Sequence, residues 1–336
     1  MIKILKYAEI ESQQWQNLIK NSTFVSFFQT KECYDFYCKL TFLKPVLFGV
    51  SENDKLVGLI CGYLIAEGGA LKKFFSKRII IPGGLLLDSN ISSNALNYLL
   101  ISFKSYFRSK ANYLEIRNFS DYSIFQNEFE KSGFKYQLHL NFHLNTSNFD
   151  VVVNNLSSSK RRQIKLTEKA GVICKQSQDI EDITAFYAIL KNLYKRKIKT
   201  PLFPISFFQI LANQDFAKFF IVKNEDTVLG GIFCVMLDNK TIYEWFVCGI
   251  DTVETRKKNI YPSVYATFTA IKYASENGFE NFDFMGAGKP DQAYGVRDFK
   301  SKFGGDLVEH GRFLCINKSL IYNFSKFIIS LKLFKQ

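Results

Sequence analysis

Apolar and polar positions alternate in a way that predicts strands and helices in turn over the first half of the chain. Residues 2–7 have the pattern of a strand, and residues 92–108 carry leucine and phenylalanine at helical spacing. A strand is predicted at 113–116, and one closing strand at 134–144. Further strand-like runs lie at 46–50, 56–65 and 78–81. This order is typical of an α/β module.

The same order starts again after a polar segment at residues 145–155. A helix is predicted to begin at the serine run 157–159, where a serine can cap it, and a long helix spans 180–196. Strand runs follow at 219–222, 228–237, 242–248 and 282–284, with a helix at 263–276 before the last of them. We therefore predict an N-terminal module at 1–148 and a C-terminal module at 149–315.

Residues 316–336 are predicted to form a C-terminal amphipathic helix. Between Leu320 and Phe334 apolar residues recur at helical spacing, and lysines occupy the other positions. Such a helix can dock on the second module, or it can lie in a membrane surface with its lysines near anionic headgroups. The pattern alone leaves both interpretations open.

Composition narrows the class of protein. A chain of 336 residues is long for one core, and the net charge of +13 favours polyanionic partners or a diffusely basic surface. Apolar runs stay short of the ~20 residues that span a bilayer. The 7 cysteines are scattered without a Cys-x-x-Cys pair, which predicts thiols in a reducing cytoplasm and no metal site. Three histidines leave little room for a His-based hydrolase.

Residues 261–305 carry the most informative motif. A helix opened by Pro262 leads to a buried strand at 282–284 and a glycine-bearing turn, and Phe299-Lys300 then precedes Phe-Gly. This order resembles the C-terminal half of the FemABX acyltransferases, which add amino acids to peptidoglycan precursors, and the related GNAT acyltransferase domains. The resemblance implies an α/β (α+β) fold of two tandem GNAT-like modules, each a mixed twisted sheet flanked by helices.

The resemblance also implies site residues. Lys300 is expected to be catalytic, with its ammonium placed to stabilise a developing oxyanion or a phosphate, and Phe299 would pack beneath it. The alternative is a surface charge cluster, since the segment is a charged loop-to-helix stretch in which little packing is expected. Arg196, which ends a helix, would hold a diphosphate, and Tyr243 would hydrogen-bond the substrate.

A run of three cations, Lys160, Arg161 and Arg162, opens a helix that ends before Gly171. It resembles the family's Ser-Lys-x-Arg motif, whose basic residues would bind substrate. Adjacent cations at a helix N-terminus oppose the helix dipole, and an anion bound there would offset that cost. A solvated basic face is the other interpretation.

The sequence departs from the family patterns at two places. Residues 256–261 lack the glycines with which GNAT enzymes approach a CoA pyrophosphate, which argues against ordinary CoA binding in the second module. An Asp-Pro of the peptidoglycan enzymes is also absent after the strand at 113–116, where Glu115 or Asp88 could substitute. Residues that bind a cofactor cannot be identified from the sequence.

The resemblance implies a cytoplasmic enzyme that transfers an aminoacyl group from charged tRNA to an amine of a peptidoglycan or other envelope precursor. The partners would be an anionic nucleotide- or lipid-linked acceptor, tRNA, and the inner face of the membrane through the C-terminal helix. No bound cofactor or metal is expected; the co-substrate is aminoacyl-tRNA or acyl-CoA. The alternatives are an acyl-CoA-dependent N-acyltransferase acting on a sugar or nucleotide sugar for surface polysaccharide, and a basic binding protein without catalysis.

Overall fold

The computed structural model describes residues 1–198 and 200–330. The last positions of the predicted C-terminal helix, 331–336, lie outside the described residues. Within the described ranges, no helix is both long and apolar enough to cross a bilayer.

Strands and helices alternate along the chain. The strands are β1 (Ile2–Lys6), β2 (Leu43–Glu52), β3 (Lys55–Ile65), β4 (Arg78–Gly83), β5 (Leu86–Leu87), β6 (Tyr113–Asn118), β7 (Lys135–Gln137), β8 (Leu140–Asn145), β9 (Ile173–Gln176), β10 (Ala217–Asn224), β11 (Thr227–Leu237), β12 (Thr241–Gly249), β13 (Asn281–Gly286), β14 (Asp306–Glu309) and β15 (Arg312–Ile316). The helices are α1 (Ser12–Asn21), α2 (Lys31–Cys38), α3 (Ala70–Ser76), α4 (Ser93–Phe107), α5 (Gln126–Lys131), α6 (Phe149–Asn155), α7 (Ser158–Lys169), α8 (Ile180–Leu193), α9 (Ile205–Ala212), α10 (Val253–Lys257), α11 (Pro262–Glu276), α12 (Gly295–Ser301) and α13 (Ser319–Ser330).

The chain divides into two compact units. The first contains residues 1–139 and the chain from Glu309 onward, and the second contains residues 140–308. In the first unit the strand order is β1-β2-β3-β4-β6-β15-β7, and β5 pairs with β3. In the second it is β14-β8-β13-β12-β11-β10-β9. Both are mixed sheets, because one neighbouring pair in each, β4 with β6 and β12 with β13, is parallel.

The structure places two strands differently from the predicted boundaries at 148 and 315. The predicted closing strand 134–144 is two strands: β7 pairs with β15 in the first sheet, and β8 pairs with β13 in the second. The chain end also returns to the first sheet, where Arg312 on β15 lies opposite Arg117 on β6. Pairing between residues this far apart in sequence leaves no local pattern, so the sequence analysis assigned 134–144 to the first module and residues up to 315 to the second.

Local signals set several helix ends as predicted. Ser157 caps α7, with its Oγ accepting a hydrogen bond from the Lys160 N–H at 3.3 Å, and Pro262 occupies the first turn of α11. The predicted helix 180–196 is α8 followed by a π-helical turn at Tyr194–Ile198. In the second unit, α11 packs against β11 and β12 over a core of aliphatic and phenylalanine side chains.

Candidate active site

Two neighbouring strands part near the middle of the second sheet. β12 and β13 pair in parallel only at residues 241–243 and 281–283. Beyond this point β12 continues beside β11 with a bulge, because Trp245 is an extra residue between two paired positions. Bulges end pairing and redirect side chains. Glu244 on β12 and Phe284 on β13 are therefore the first residues beyond the paired segment.

The end of β13 turns sharply and leaves its carbonyl groups for other partners. Met285 has a left-handed backbone with φ of 60°, an uncommon conformation for a residue other than glycine. The carboxylate of Asp283 stabilises the turn, since its Oδ1 accepts a hydrogen bond from the Met285 N–H at 2.5 Å. The register with β8 is also interrupted between Asp283 and Gly286. Phe284 thus lies in the interrupted stretch, and pairing with β8 resumes at Gly286, opposite Asn141.

Lys300 occupies this place. It lies in the last turn of α12 and is only 6% exposed. Its ammonium donates hydrogen bonds to the carbonyl oxygens of Phe284 and Gly286, the latter at 3.0 Å, and lies 3.8 Å from Glu244 Oε1. The sequence led us to expect a weakly packed charged segment, and the structure corrects this expectation, because α12 turns the lysine inward over the end of β13.

Arg297 holds α12 in the position that Lys300 requires. Its Nε donates to the carbonyl of Ala287 at 3.0 Å, and its other nitrogens donate to the carbonyls of Lys289 and Pro290. These bonds connect α12 to the loop that follows β13. The guanidinium therefore fixes the spacing between Lys300 and the strand end.

Glu244 and Lys300 form a buried acid–base pair. Burial raises the pKa of Glu244 to about 7, although the charge of Lys300 and a hydrogen bond from Thr267 Oγ1 at 3.2 Å oppose the rise. Burial likewise lowers the pKa of Lys300, and the carboxylates of Glu244 and Asp283 oppose that fall. Each charge thus stabilises the charged form of its partner. Ionisable groups shifted by burial and by one specific partner are characteristic of functional sites.

Asp283 connects this pair to β8. His143 Nε2 lies 3.4 Å from Asp283 Oδ2. Burial disfavours the charged imidazole, but the hydrogen bond and negative charge of Asp283 outweigh it and raise the pKa of His143. When His143 is protonated, its imidazolium and the Asp283 carboxylate form a second ion pair one strand away from Glu244.

Lys160 has a different environment from the two arginines that follow it in the sequence. It is buried, and its ammonium lies over the ring of Phe299, 3.9 Å from the centroid, and 5.0 Å from the ring centre of Phe303. Arg161 and Arg162 are exposed on α7. Phe299 thus packs against Lys160, and only the two arginines keep the exposed position that the predicted anion site requires.

Lys160 makes the stability of the protein depend on pH. Burial, with a smaller contribution from the charge of Lys302, lowers the pKa of Lys160 from 10.5 to about 8. The unfolded chain holds this proton more tightly, so we expect the free energy of unfolding to rise between about pH 8 and 10.5. Urea denaturation of Lys160→Met, which keeps the packing volume, should lack this rise. Parallel pH curves for the two proteins would contradict the assignment.

The remaining predicted site residues lie on other elements than Lys300. Tyr243 is buried and precedes Glu244 on β12, so successive side chains place the two on opposite faces of the sheet. Arg196 is exposed on the π-helical turn after α8. Glu115 belongs to the first unit, where Arg117 and Arg312 contact its carboxylate at 3.1 and 2.6 Å.

The structure adds residues that the sequence did not single out: Glu244, Thr267 and Asp283. Glu244 is a charged residue inside an otherwise apolar strand, Tyr-Glu-Trp-Phe-Val, and Asp283 lies between two phenylalanines in the same way. Burying a charge is unfavourable without a partner. This signal could have marked both positions, although it would not have identified Lys300 as the partner of Glu244.

The loop before α11 has few free backbone donors. The N–H groups of residues 256 and 258–261 all donate hydrogen bonds within the unit, the last of them to Thr167 Oγ1 at 3.1 Å. Pro262 has no N–H to offer, and Arg256 makes two hydrogen bonds to Asp251, at 2.6 and 2.7 Å. A pyrophosphate cradle of backbone amides needs donors that point outward. Because its amides already donate within the unit, this loop in its present conformation does not form a pyrophosphate cradle.

Residues 155–301 match the family model of the acetyltransferase (GNAT) domain. The match contains both Glu244 and Lys300. This segment is similar to GNAT domains. The prediction of an acyltransferase is thereby confirmed. No curated protein matches the chain by sequence.

Solved structures extend the similarity to the whole chain. The structure of FemX is 18% identical, with coverage of 99% of this chain and 100% of FemX and a TM-score of 0.68. A tandem GNAT protein from the clavulanic acid biosynthesis pathway is 9% identical, covering 94% and 99%, with a TM-score of 0.62. L-PGS from Bacillus licheniformis is 11% identical, covering 95% and 97%, with a TM-score of 0.55. The predicted fold of two GNAT-like modules and the resemblance to the FemABX fold are confirmed.

Proposed function

We propose that the GNAT domain transfers an aminoacyl group from aminoacyl-tRNA to an amine of a peptidoglycan or other envelope precursor. The observation that carries this proposal is the buried Glu244–Lys300 pair where β12 and β13 part. It is supported by the FemABX resemblance of the sequence around Lys300. A cation held in a site with little water interacts strongly with charge that develops during a reaction.

The proposed reaction needs stabilisation of one oxyanion. The acceptor amine attacks the ester carbonyl carbon of the donor, a C–N bond forms, and the carbonyl oxygen becomes negative. The intermediate then collapses, the C–O bond to the ribose breaks, and the amine's proton ends on the released hydroxyl or in solvent. Lys300 would donate a hydrogen bond to the oxyanion, since its ammonium has three donors and two of them already contact carbonyl oxygens.

Glu244 acts through Lys300 in this proposal. Its carboxylate opposes the effect of burial on the pKa of Lys300 and so favours the charged ammonium. Thr267 orients the carboxylate from α11. Glu244 is thus a positioning residue, and its contribution should be visible in the pH dependence of the reaction.

The loop at 256–261 favours tRNA over CoA as the donor. Its amides are used within the unit and offer no outward cradle for a pyrophosphate. The match to an acetyltransferase family nevertheless supports an alternative, acyl transfer from acyl-CoA to a sugar or nucleotide sugar. We place the alternative second, because that reaction would require the loop to rearrange.

Isotope transfer separates the two donors. Purified protein is incubated with an amine-bearing envelope precursor and either ³H-aminoacyl-tRNA or ³H-acetyl-CoA, and the label on the acceptor is counted. We expect label from the charged tRNA and none above background from the CoA ester. Transfer from acetyl-CoA alone would overturn the proposed donor, and binding of tRNA without any transfer would support a binding protein.

Arg161, Arg162 and Arg196 are proposed to bind phosphate groups of the acceptor or of tRNA. All three are exposed, so replacing each with glutamine should leave the fold intact. We expect tRNA affinity to fall and the slope of log K against log salt to decrease by about 0.7–0.9 for each phosphate that is no longer neutralised. Filter binding at several salt concentrations measures this. Lys20→Gln, on an exposed position of α1, is the matched control, and an unchanged slope in the arginine variants would indicate a solvated basic face.

We further propose that the enzyme works in the cytoplasm at the inner face of the membrane, reached through the C-terminal helix. A lipid-linked acceptor would present its amine at that surface. The support is the amphipathic pattern of α13 and its lysines.

A further inference from the structure

Helix α13 directs an apolar face outward. Leu320, Phe324 and Phe327 lie at positions i, i+4 and i+7, on one face of the helix, and are 86%, 49% and 57% exposed. A helix that merely completes a core buries its large apolar residues. The exposed face therefore remains to be covered by something else.

The other face of α13 is held against the first unit. Tyr322 packs on Tyr113 of β6 with ring centres 5.2 Å apart, and Ser325 Oγ lies 3.4 Å from the carbonyl of Phe75. At the edge of the exposed face, the ring of Phe324 also contacts Phe75, with ring centres 5.4 Å apart. The helix is thus attached to the fold along one side, which fixes the outward direction of the opposite side.

Helix α3 supplies a second exposed apolar strip beside α13. The two helices contact each other through Phe75, and the neighbouring Leu71 and Phe74 on α3 are 69% and 54% exposed. The sequence analysis did not single out α3, because seven residues give too short a pattern. Together α3 and α13 form a surface of five exposed large apolar side chains, here termed the α3–α13 surface: Leu71, Phe74, Leu320, Phe324 and Phe327.

The two segments that form this surface carry only positive charge, and the adjacent Glu67 is paired with Arg78. Residues 68–77 contain Lys72, Lys73 and Lys77, residues 316–330 contain Lys318 and Lys326, and neither segment contains an aspartate or glutamate. Apolar residues flanked only by lysines match a bilayer with anionic headgroups, since the rings enter the boundary region while the long side chains reach the phosphates.

We infer that the α3–α13 surface docks on an anionic lipid bilayer, with both helices in contact with the lipid. The inference deepens the proposed location at the membrane and is independent of the acyl donor. It differs from docking by the C-terminal helix alone, because Leu71 and Lys73 on α3 would carry part of the binding. Substitution is a better test than truncation, since the chain after Glu309 also supplies β15 to the first sheet.

Vesicle sedimentation of the full chain tests the inference. The probes are vesicles of phosphatidylcholine alone and vesicles that also contain phosphatidylglycerol. We expect the protein to pellet with the anionic vesicles and to remain in solution with the neutral ones. Leu71→Ser on α3 and Leu320→Ser on α13 should each weaken binding several-fold, and Lys73→Glu with Lys326→Glu should weaken it by at least about tenfold.

The controls have the same chemistry elsewhere on the chain. Ile124→Ser and Val253→Ser remove apolar residues that are 71% and 69% exposed, and Lys131→Glu with Lys165→Glu changes the charge equally; both sets should bind as the parent protein does. Melting temperatures should be unchanged throughout.

Three results would overturn the inference. If only the α13 substitutions weaken binding, the role of α3 is wrong and the proposed location stands. If the parent protein binds neither kind of vesicle, both the role of α3 and the proposed location at the membrane are wrong. If light scattering finds a dimer that the substitutions dissociate, without vesicle binding, the surface is an interface between two copies.

Discussion

Replacing Lys300 with methionine is expected to lower the rate of acyl transfer by about 10²–10³. It is also expected to reduce the free energy of unfolding by about 3–5 kcal/mol, because the variant leaves Glu244 buried beside no cation. The carbonyls of Phe284 and Gly286 are deprived of their donor as well. Transfer kinetics and urea denaturation measure the two effects separately.

A double variant distinguishes catalysis from stability. Adding Glu244→Leu to Lys300→Met removes both buried charges, and replacing a buried ion pair by apolar residues is often neutral for stability. We expect the double variant to recover much of the stability and none of the rate. Lys302→Met, at an exposed position just after α12, should behave as the parent protein does. Recovery of activity together with stability would show that Lys300 has only a structural role.

The second large effect is expected for Glu244→Gln, as a change in pH dependence. Without the carboxylate, burial lowers the pKa of Lys300 further, so the ammonium gives up its charge at lower pH. We expect the alkaline limb of the rate profile to move toward neutrality, with a rate at pH 8 that falls by about 10–100-fold. A profile of unchanged shape at a uniformly lower rate would contradict the role of Glu244.

The same variant has a predicted signature in stability. The folded pKa of Glu244 is raised from 4.5 to about 7, so its protonated form is favoured by folding. Its contribution to stability is therefore complete below about pH 4.5 and is lost as the pH rises to about 7. Glu244→Gln should show a smaller decline across this window, as measured by urea midpoints at several pH values.

The sequence predicted what local chemistry determines. Ser157 as a cap, Pro262 at a helix start and the apolar strand around Phe282 follow from short-range preferences, and each lies where it was expected. The family resemblance added Lys300, whose position beside Glu244 depends on two segments far apart in the chain. No periodicity in either segment contains that information.

Long-range pairing and burial were the parts that the sequence could not supply. β8 and β15 are short strands whose partners are far away in the chain, so the polar segment 145–155 was a poor guide to the division between the units. Lys160 resembled its two arginine neighbours until the structure placed it over Phe299. Which face of α13 points outward likewise depends on the contacts of the helix with Phe75 and Tyr113, which are far away in the sequence.

The most direct test of the proposed active site is a crystal structure with a non-hydrolysable donor, an RNA minihelix that carries its aminoacyl group through a 3′-amide. The account predicts the acyl carbonyl oxygen between β12 and β13, about 3 Å from Lys300 Nζ. A donor whose carbonyl lies elsewhere, with Lys300 still bonded only to the carbonyls of Phe284 and Gly286, would contradict it.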